Sequence, residues 1–258
     1  MDAFELLKTG DLASAIEATI GAVRAHPTDV GHRYNLAAML VMQGDLDRAD
    51  THLDAISTLD PKLAVAAAVF RACLEAEEER RRVFAGTAKP GMPPAGAEAI
   101  ERRVELHERL RAGDDANAAM AACAGDAAGQ GELDGATFRS LADQDETLGG
   151  VLEVYASGRY LWLPLNGFRS LDFAAPKGLL DLVWASCEFE DRDGRRATVH
   201  VPVLYADTAA HADPLVRVGR VTAWTDCDGI AFRGHGPRLL QVDDREVPLL
   251  DVRSIRFE

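Results

Sequence analysis

Apolar residues recur every three or four positions from Met1 to about Met120, in a background rich in Ala, Leu and Glu. That spacing gathers them on one side of successive amphipathic helices. From about Val151 the pattern changes to short alternating runs of Val, Tyr, Trp and Phe, broken at Ser157-Gly158, Asp193-Gly194 and Asp228-Gly229. Such runs read as strands joined by tight turns. The expected fold is an N-terminal α-helical array followed by a C-terminal mainly β (α+β) domain. Pro90-Gly91-Met92-Pro93-Pro94-Ala95-Gly96 cannot continue a helix and is a connector inside the helical half, and the Gly-rich stretch 125–135 approaches the boundary between halves. These breaks divide the chain into a helical domain over 1–125, a linker over 126–150 and a β-rich domain over 151–258.

The helical half repeats itself. Gly10-Asp11-Leu12 recurs as Gly44-Asp45-Leu46, Ala15 as Ala49 and Pro27 as Pro61, all at one common offset, which is the tetratricopeptide length. The glycines suit the turn between two helices, the alanines a close helix crossing, and the prolines the end of a second helix. A third register keeps Phe70 and Leu74 in place of Leu36 and Leu40. Its turn glycine is replaced inside Glu75–Arg82, so that helix is expected to run on. A last helix–turn–helix unit is expected over 98–124, with its turn at Ala112-Gly113-Asp114. Stacked helix pairs expose the first helix of each pair on a concave face. On the second repeat that face carries Tyr34, Ala38, Val41 and Met42, with Asn35 alongside, a surface suited to the apolar stripe of a partner helix. The competing reading packs the same residues against the neighbouring repeat or the β domain.

Composition narrows the function. With 258 residues, 47% hydrophobic and 27% charged, the chain can bury one or two ordinary cores. A net charge of −14 opposes binding to nucleic acid or anionic lipid. No apolar run reaches the length of a membrane span and the N-terminus lacks the pattern of a signal peptide, so a cytoplasmic protein is expected. The four cysteines are widely spaced, which suggests neither a zinc knuckle nor a disulfide framework.

Catalytic patterns are sparse. There is no G-x-S-x-G elbow, phosphate-binding loop or H-E-x-x-H helix, and Asp226-Cys227-Asp228-Gly229 reads as a hairpin turn rather than a calcium loop. No catalytic, cofactor-binding or metal-ligating set is assigned. The best acidic cluster, Asp143, Asp145 and Glu146, fits a solvated, helix-capping or linker role. Its alternative is acid–base or metal chemistry with a distant histidine such as His200 or His211. A third reading, a tetratricopeptide chaperone adaptor that binds a C-terminal carboxylate, wants a basic groove, whereas the expected face is apolar apart from nearby Arg33 and Arg71. Of the aromatic residues in the β half, Trp162 and Trp184 are the expected core anchors. Arg159 and the acidic run 143–146 are the expected exposed contacts.

The segments LADQDETLGGVLEVYASGRYLWLPL (141–165), LLDLVWASCEFEDRDG (179–194), VPVLYADT (201–208) and VRSIRFE (252–258) resemble the ImpE/TagJ family of type VI secretion accessory proteins, and the resemblance spans nearly the whole chain. The family pattern is matched at Asp143, Asp145, Gly149, Val151-Leu152-Glu153, Gly158-Arg159-Tyr160, Trp162, Pro164 and Asp181-Leu182-Val183-Trp184. The chain departs from it at Thr147, where the family carries Arg, and at Gly150, where it carries Pro. The resemblance implies a cytoplasmic adaptor, and the missing catalytic motifs make a non-catalytic protein without cofactor or metal the expectation. Its implied partners are the N-terminal helix of the small contractile-sheath subunit and the AAA+ ATPase that recycles the sheath.

Overall fold

The computed structural model describes residues 3–94 and 96–258; Ala95, within the Pro90–Gly96 connector, lies outside them, as do the first two residues. Helices α1 (Ala3–Lys8) and α2 (Leu12–Ala25) form one hairpin, α3 (Val30–Gln43) and α4 (Leu46–Leu59) the next. The offset seen in the sequence recurs in their geometry. Gly10 and Gly44 both turn the chain with φ near +85° and +91°, a region open to glycine at no steric cost. Asp11 and Asp45 then cap α2 and α4, each side chain accepting an N–H three residues on. Ala15 and Ala49 are fully buried at the helix contacts. Pro27 follows the end of α2, and Pro61 opens a single 3-10 turn after α4.

Where the third turn glycine is missing, α5 runs unbroken for 21 residues, Ala64–Phe84. After the connector, α6 (Ala97–Ala112) ends at left-handed Gly113 and is followed by the short α7 (Asn117–Ala122).

The segment 126–150 is not a free linker. It carries β1 (Gly131–Leu133), β2 (Ala136–Phe138) and β3 (Leu141–Asp143), with the Asp134-Gly135 turn between the first two. The glycines that suggested a linker serve this turn and the close approaches described below. The strands that follow are β4 (Val151–Ala156), β5 (Arg159–Pro164), β6 (Phe168–Phe173), β7 (Trp184–Asp191), β8 (Arg196–Pro202), β9 (Ala223–Cys227), β10 (Ala231–His235), β11 (Leu239–Val242), β12 (Arg245–Pro248) and β13 (Ser254–Phe257). An antiparallel sheet runs in the order β2-β1-β13-β6-β7-β8-β4-β5, beside a three-stranded sheet β12-β11-β3 and the hairpin β9-β10. The C-terminal strand thus closes the sheet between β1 and β6, its backbone N–H groups at Arg253 and Ser254 also held by Asp134.

The large sheet is covered on both faces around β4. Val151 and Tyr155 point into a core shared with the helices, and Leu152 and Val154 into a second core inside the β half. Tyr160, Trp162 and Trp184 join the shared core, and both tryptophans are buried. A strand buried on both faces reads as a continuous apolar run, and Val-Leu-Glu-Val-Tyr does so except at its charged third residue. The connector adds to the same edge, because Gly91 exchanges backbone hydrogen bonds with Tyr160 and Trp162 of β5.

Candidate functional site

The exception on β4 is the centre of the molecule. Glu153 has no solvent exposure, and opposite it α5 presents Arg80, 3% exposed. Arg80 Nε and Nη2 donate to the two oxygens of Glu153 at 2.8 and 3.0 Å, a bidentate pair. Arg238, also buried, donates one arm to Glu153 and the other to Asp143, while its Nε donates to the Pro202 carbonyl at 3.1 Å. The Tyr160 hydroxyl donates to Glu153 and accepts from the Trp162 indole. Tyr205 donates to Asp143 at 2.7 Å, and Tyr155 donates to Glu77 of α5.

The loop between β3 and β4 continues this network. Asp143 accepts the Asp145 N–H at 2.9 Å, and Asp145 accepts from Thr147 through both N–H and hydroxyl and from the Gly234 N–H at 2.9 Å. From α6, Arg103 pairs bidentately with Asp126 at 2.6 and 2.8 Å and reaches the Glu146 carbonyl. His107 lies 3.1 Å from the Thr147 carbonyl. The loop is closely packed: a Cβ on Gly149 would strike the Arg103 guanidinium, and one on Gly150 the Asp126 backbone. Thr147 and Gly150, the two departures from the family pattern, both sit here, and Gly150 donates its N–H to Asp126, a bond no proline could make.

Burial and charge act on these groups in opposite senses. Burial pushes the Asp143 carboxyl up to about 6, against the pull of Arg238, and raises Asp145 as well. Burial also acts on Glu153, but Arg80 and Arg238 together outweigh it and hold the carboxyl at about 2. Burial lowers His107 to about 3, so it is neutral at physiological pH. The network pairs carboxylates with guanidiniums across the junction of the two halves. It leaves Asp143 and Asp145 engaged with Arg238, Tyr205, Thr147 and backbone, not with His200 or His211. Among the described residues no group of three His, Cys, Asp or Glu side chains could hold a metal ion.

The expected exposed contacts therefore divide. Asp143 and Asp145 are buried, because the loop folds under the β9–β10 hairpin, and Glu146 alone of that run stays exposed. Arg159 is exposed and pairs with Glu79 of α5 at 3.1 Å, tying the tip of the β4–β5 hairpin to the array. On α3, Ala38, Val41 and Met42 are buried, since residues 180–182 and 208–210 of the β half lie over that helix. Tyr34 and Asn35, nearer its N-terminus, keep partial exposure, and Tyr34 packs edge-on to Phe70, their ring centres 6.1 Å apart.

The arginines are what sequence reasoning missed. A signal was present: Cys73, Ala76, Arg80 and Val83 fall on one helical stripe, as do Ile100, Arg103 and Val104, and all are buried. An arginine inside an apolar stripe marks a buried charge awaiting a partner.

The chain matches known proteins. The family model described as ImpE protein matches residues 135–256, which contain β2 to β12, most of β13 and the whole of the β3–β4 loop. The type VI secretion system accessory component TagJ of Pseudomonas aeruginosa is 36% identical over 261 aligned positions, covering 100% of this chain and 92% of that protein. A crystal structure of a Vibrio parahaemolyticus protein superimposes with a TM-score of 0.87 over 99% of this chain and 97% of that one, at 23% identity, and so shows the same fold. Matched from end to end at that identity, the chain belongs to the ImpE/TagJ family of type VI secretion accessory proteins.

Proposed function

We propose that the chain is a non-catalytic cytoplasmic adaptor in which a short tetratricopeptide-like array holds the N-terminal helix of the small contractile-sheath subunit, while the protein associates with the AAA+ ATPase that recycles the sheath. The observation that carries this reading is an apolar strip without a covering element. Val65 and Val69 of α5 are 78% and 40% exposed, with Ala66 and Ala68 exposed between them. Val65, Ala68 and Val69 stand one repeat length after Gly31, Tyr34 and Asn35, so the strip extends the first-helix face of the second repeat onto the third. Where the β half covers α3 it leaves this end open. An amphipathic helix laid against Tyr34, Asn35, Ala68 and Val69 would bury its apolar face without an ion pair. No helix among the described residues is long and apolar enough to cross a membrane.

Titrating the sheath subunit's N-terminal peptide against the parent and Val69→Asp tests the reading. Val69 is exposed, so its replacement leaves the core intact. A charge forced into an apolar contact, or loss of an anchor as in Tyr34→Ala, costs about 2 kcal/mol, roughly 30-fold in affinity. Moderate salt should change binding little. Parental affinity in both variants would remove this surface from consideration.

A further inference from the structure

A second surface, to which α5 contributes no residue, has a different chemistry. Between α7 and the β9–β10 hairpin lies an open cleft of about 890 Å³. One wall is Met120 and Ala121 of α7; the other is Trp224 and Phe232, which are 37% and 51% exposed. The register pairs Trp224 with Gly234 and Asp226 with Phe232, so the two rings and the Asp226 carboxylate share one face of the hairpin. The floor is the β3–β4 loop, through Gln144 and Glu146.

The exposed polar group of this floor, Glu146, is an acceptor. Gln144 donates its amide N–H to Glu246, and its carbonyl oxygen is buried out of reach of the cleft. Glu146 accepts the Phe232 N–H with one oxygen, and among the described residues its carboxylate makes no other hydrogen bond and no ion pair. Arg103 is the one cation lining the cleft among the described residues, and its guanidinium is already held by Asp126 and the Glu146 carbonyl. Two partly exposed aromatic rings beside an unpaired carboxylate call for a ligand that is flat, cationic and rich in donors. A guanidinium has five N–H donors and no acceptor and is attracted to aromatic faces. The small apolar wall on α7 adds room for aliphatic neighbours.

We propose that this cleft docks an arginine-bearing, otherwise apolar segment of a partner protein, with the guanidinium held by Trp224, Phe232 and the Glu146 carboxylate. The site is separate from the α5 strip and stands whether or not the strip binds a sheath helix.

Trp162 and Trp184 are buried, so acrylamide quenching of the intact protein reports chiefly on Trp224. The probe is an acetylated and amidated helical peptide of Ala, Leu and Arg, beside a twin with Glu in place of Arg. The arginine peptide should shield Trp224 and its twin should not. Phe232→Ser and Glu146→Gln should each weaken shielding by about tenfold, whereas Val69→Asp should leave it unchanged. Emission from the buried tryptophans checks that each variant is folded. Absence of shielding by the arginine peptide, equal shielding by its twin, indifference to both cleft substitutions, or loss of shielding in Val69→Asp would each overturn the proposal.

Discussion

A carboxylate buried between two guanidiniums has a free-energy balance unlike that of a surface ion pair, because all three groups have left water. Replacing Glu153 by Gln strands Arg80 and Arg238 in the interior, and the expected loss is about 3–5 kcal/mol, read as a lower urea midpoint. Arg159→Gln, which removes the exposed cation of its pair and leaves Glu79 the Tyr160 N–H, should lower that midpoint far less. Asp143 gives a pH signature of the other sign. Its folded-state value of about 6 lies above the ordinary 3.8, so between about pH 4 and 6 the folded chain holds a proton that the unfolded chain has lost. The stability from that proton is full below pH 4 and gone above pH 6. Unfolding curves at pH 5 and 7 check this: the stability of the parent relative to Asp143→Asn should be greater at pH 5. Glu153 acts in the separate window below about 4.5, where the stability from its depressed value is lost as the pH falls toward 2.

At the scale of elements, the two helical hairpins behave as the spacing of small residues requires. Ala49 has no exposed surface, and a leucine there would push α4 away from its neighbours at a cost of about 1–3 kcal/mol. A thermal midpoint for Ala49→Leu equal to the parent's would mean that the crossing tolerates a large side chain and that the repeat places no close contact there. The helices were legible because their apolar stripes, capping aspartates and turn glycines act within a few residues. The run-on of α5 was legible for the same reason, from a missing glycine. Strands β1 to β3 were not: each has three residues, too few for alternation to register; β1 and β3 are held by partners about a hundred residues away, β13 and β11, and β2 pairs only with β1. The Gly-rich composition of 126–150 suggested a linker because glycines at turns and close approaches look the same in sequence as glycines in loose chain.

The whole molecule should unfold as one unit. The shared core contains Leu36 and Met39 from the array together with Tyr155, Trp162 and Trp184 from the β half, and Arg80 to Glu153 is a buried pair across the same junction. Far-ultraviolet dichroism, which follows the helices, and near-ultraviolet signals from the buried tryptophans should therefore change at one urea concentration. Two separated transitions would show that the halves are independent. The same junction explains which parts of the candidate surface could be read in advance. By itself the sequence determined the helix–sheet order, the internal repeat of the helical half, the tight turns, the core role of Trp162 and Trp184 and the family. These depend on local periodicity and on motifs, which a linear chain displays directly. Only the tertiary structure decided that Ala38, Val41 and Met42 are covered, that Asp143 and Asp145 are buried against Arg238, and that Val65 and Val69 are left bare. Each of those outcomes depends on which face of one half meets the other. That choice is made by burial and charge pairing between residues some seventy to a hundred positions apart, as between Arg80 and Glu153 or Asp143 and Arg238, and no local pattern encodes it.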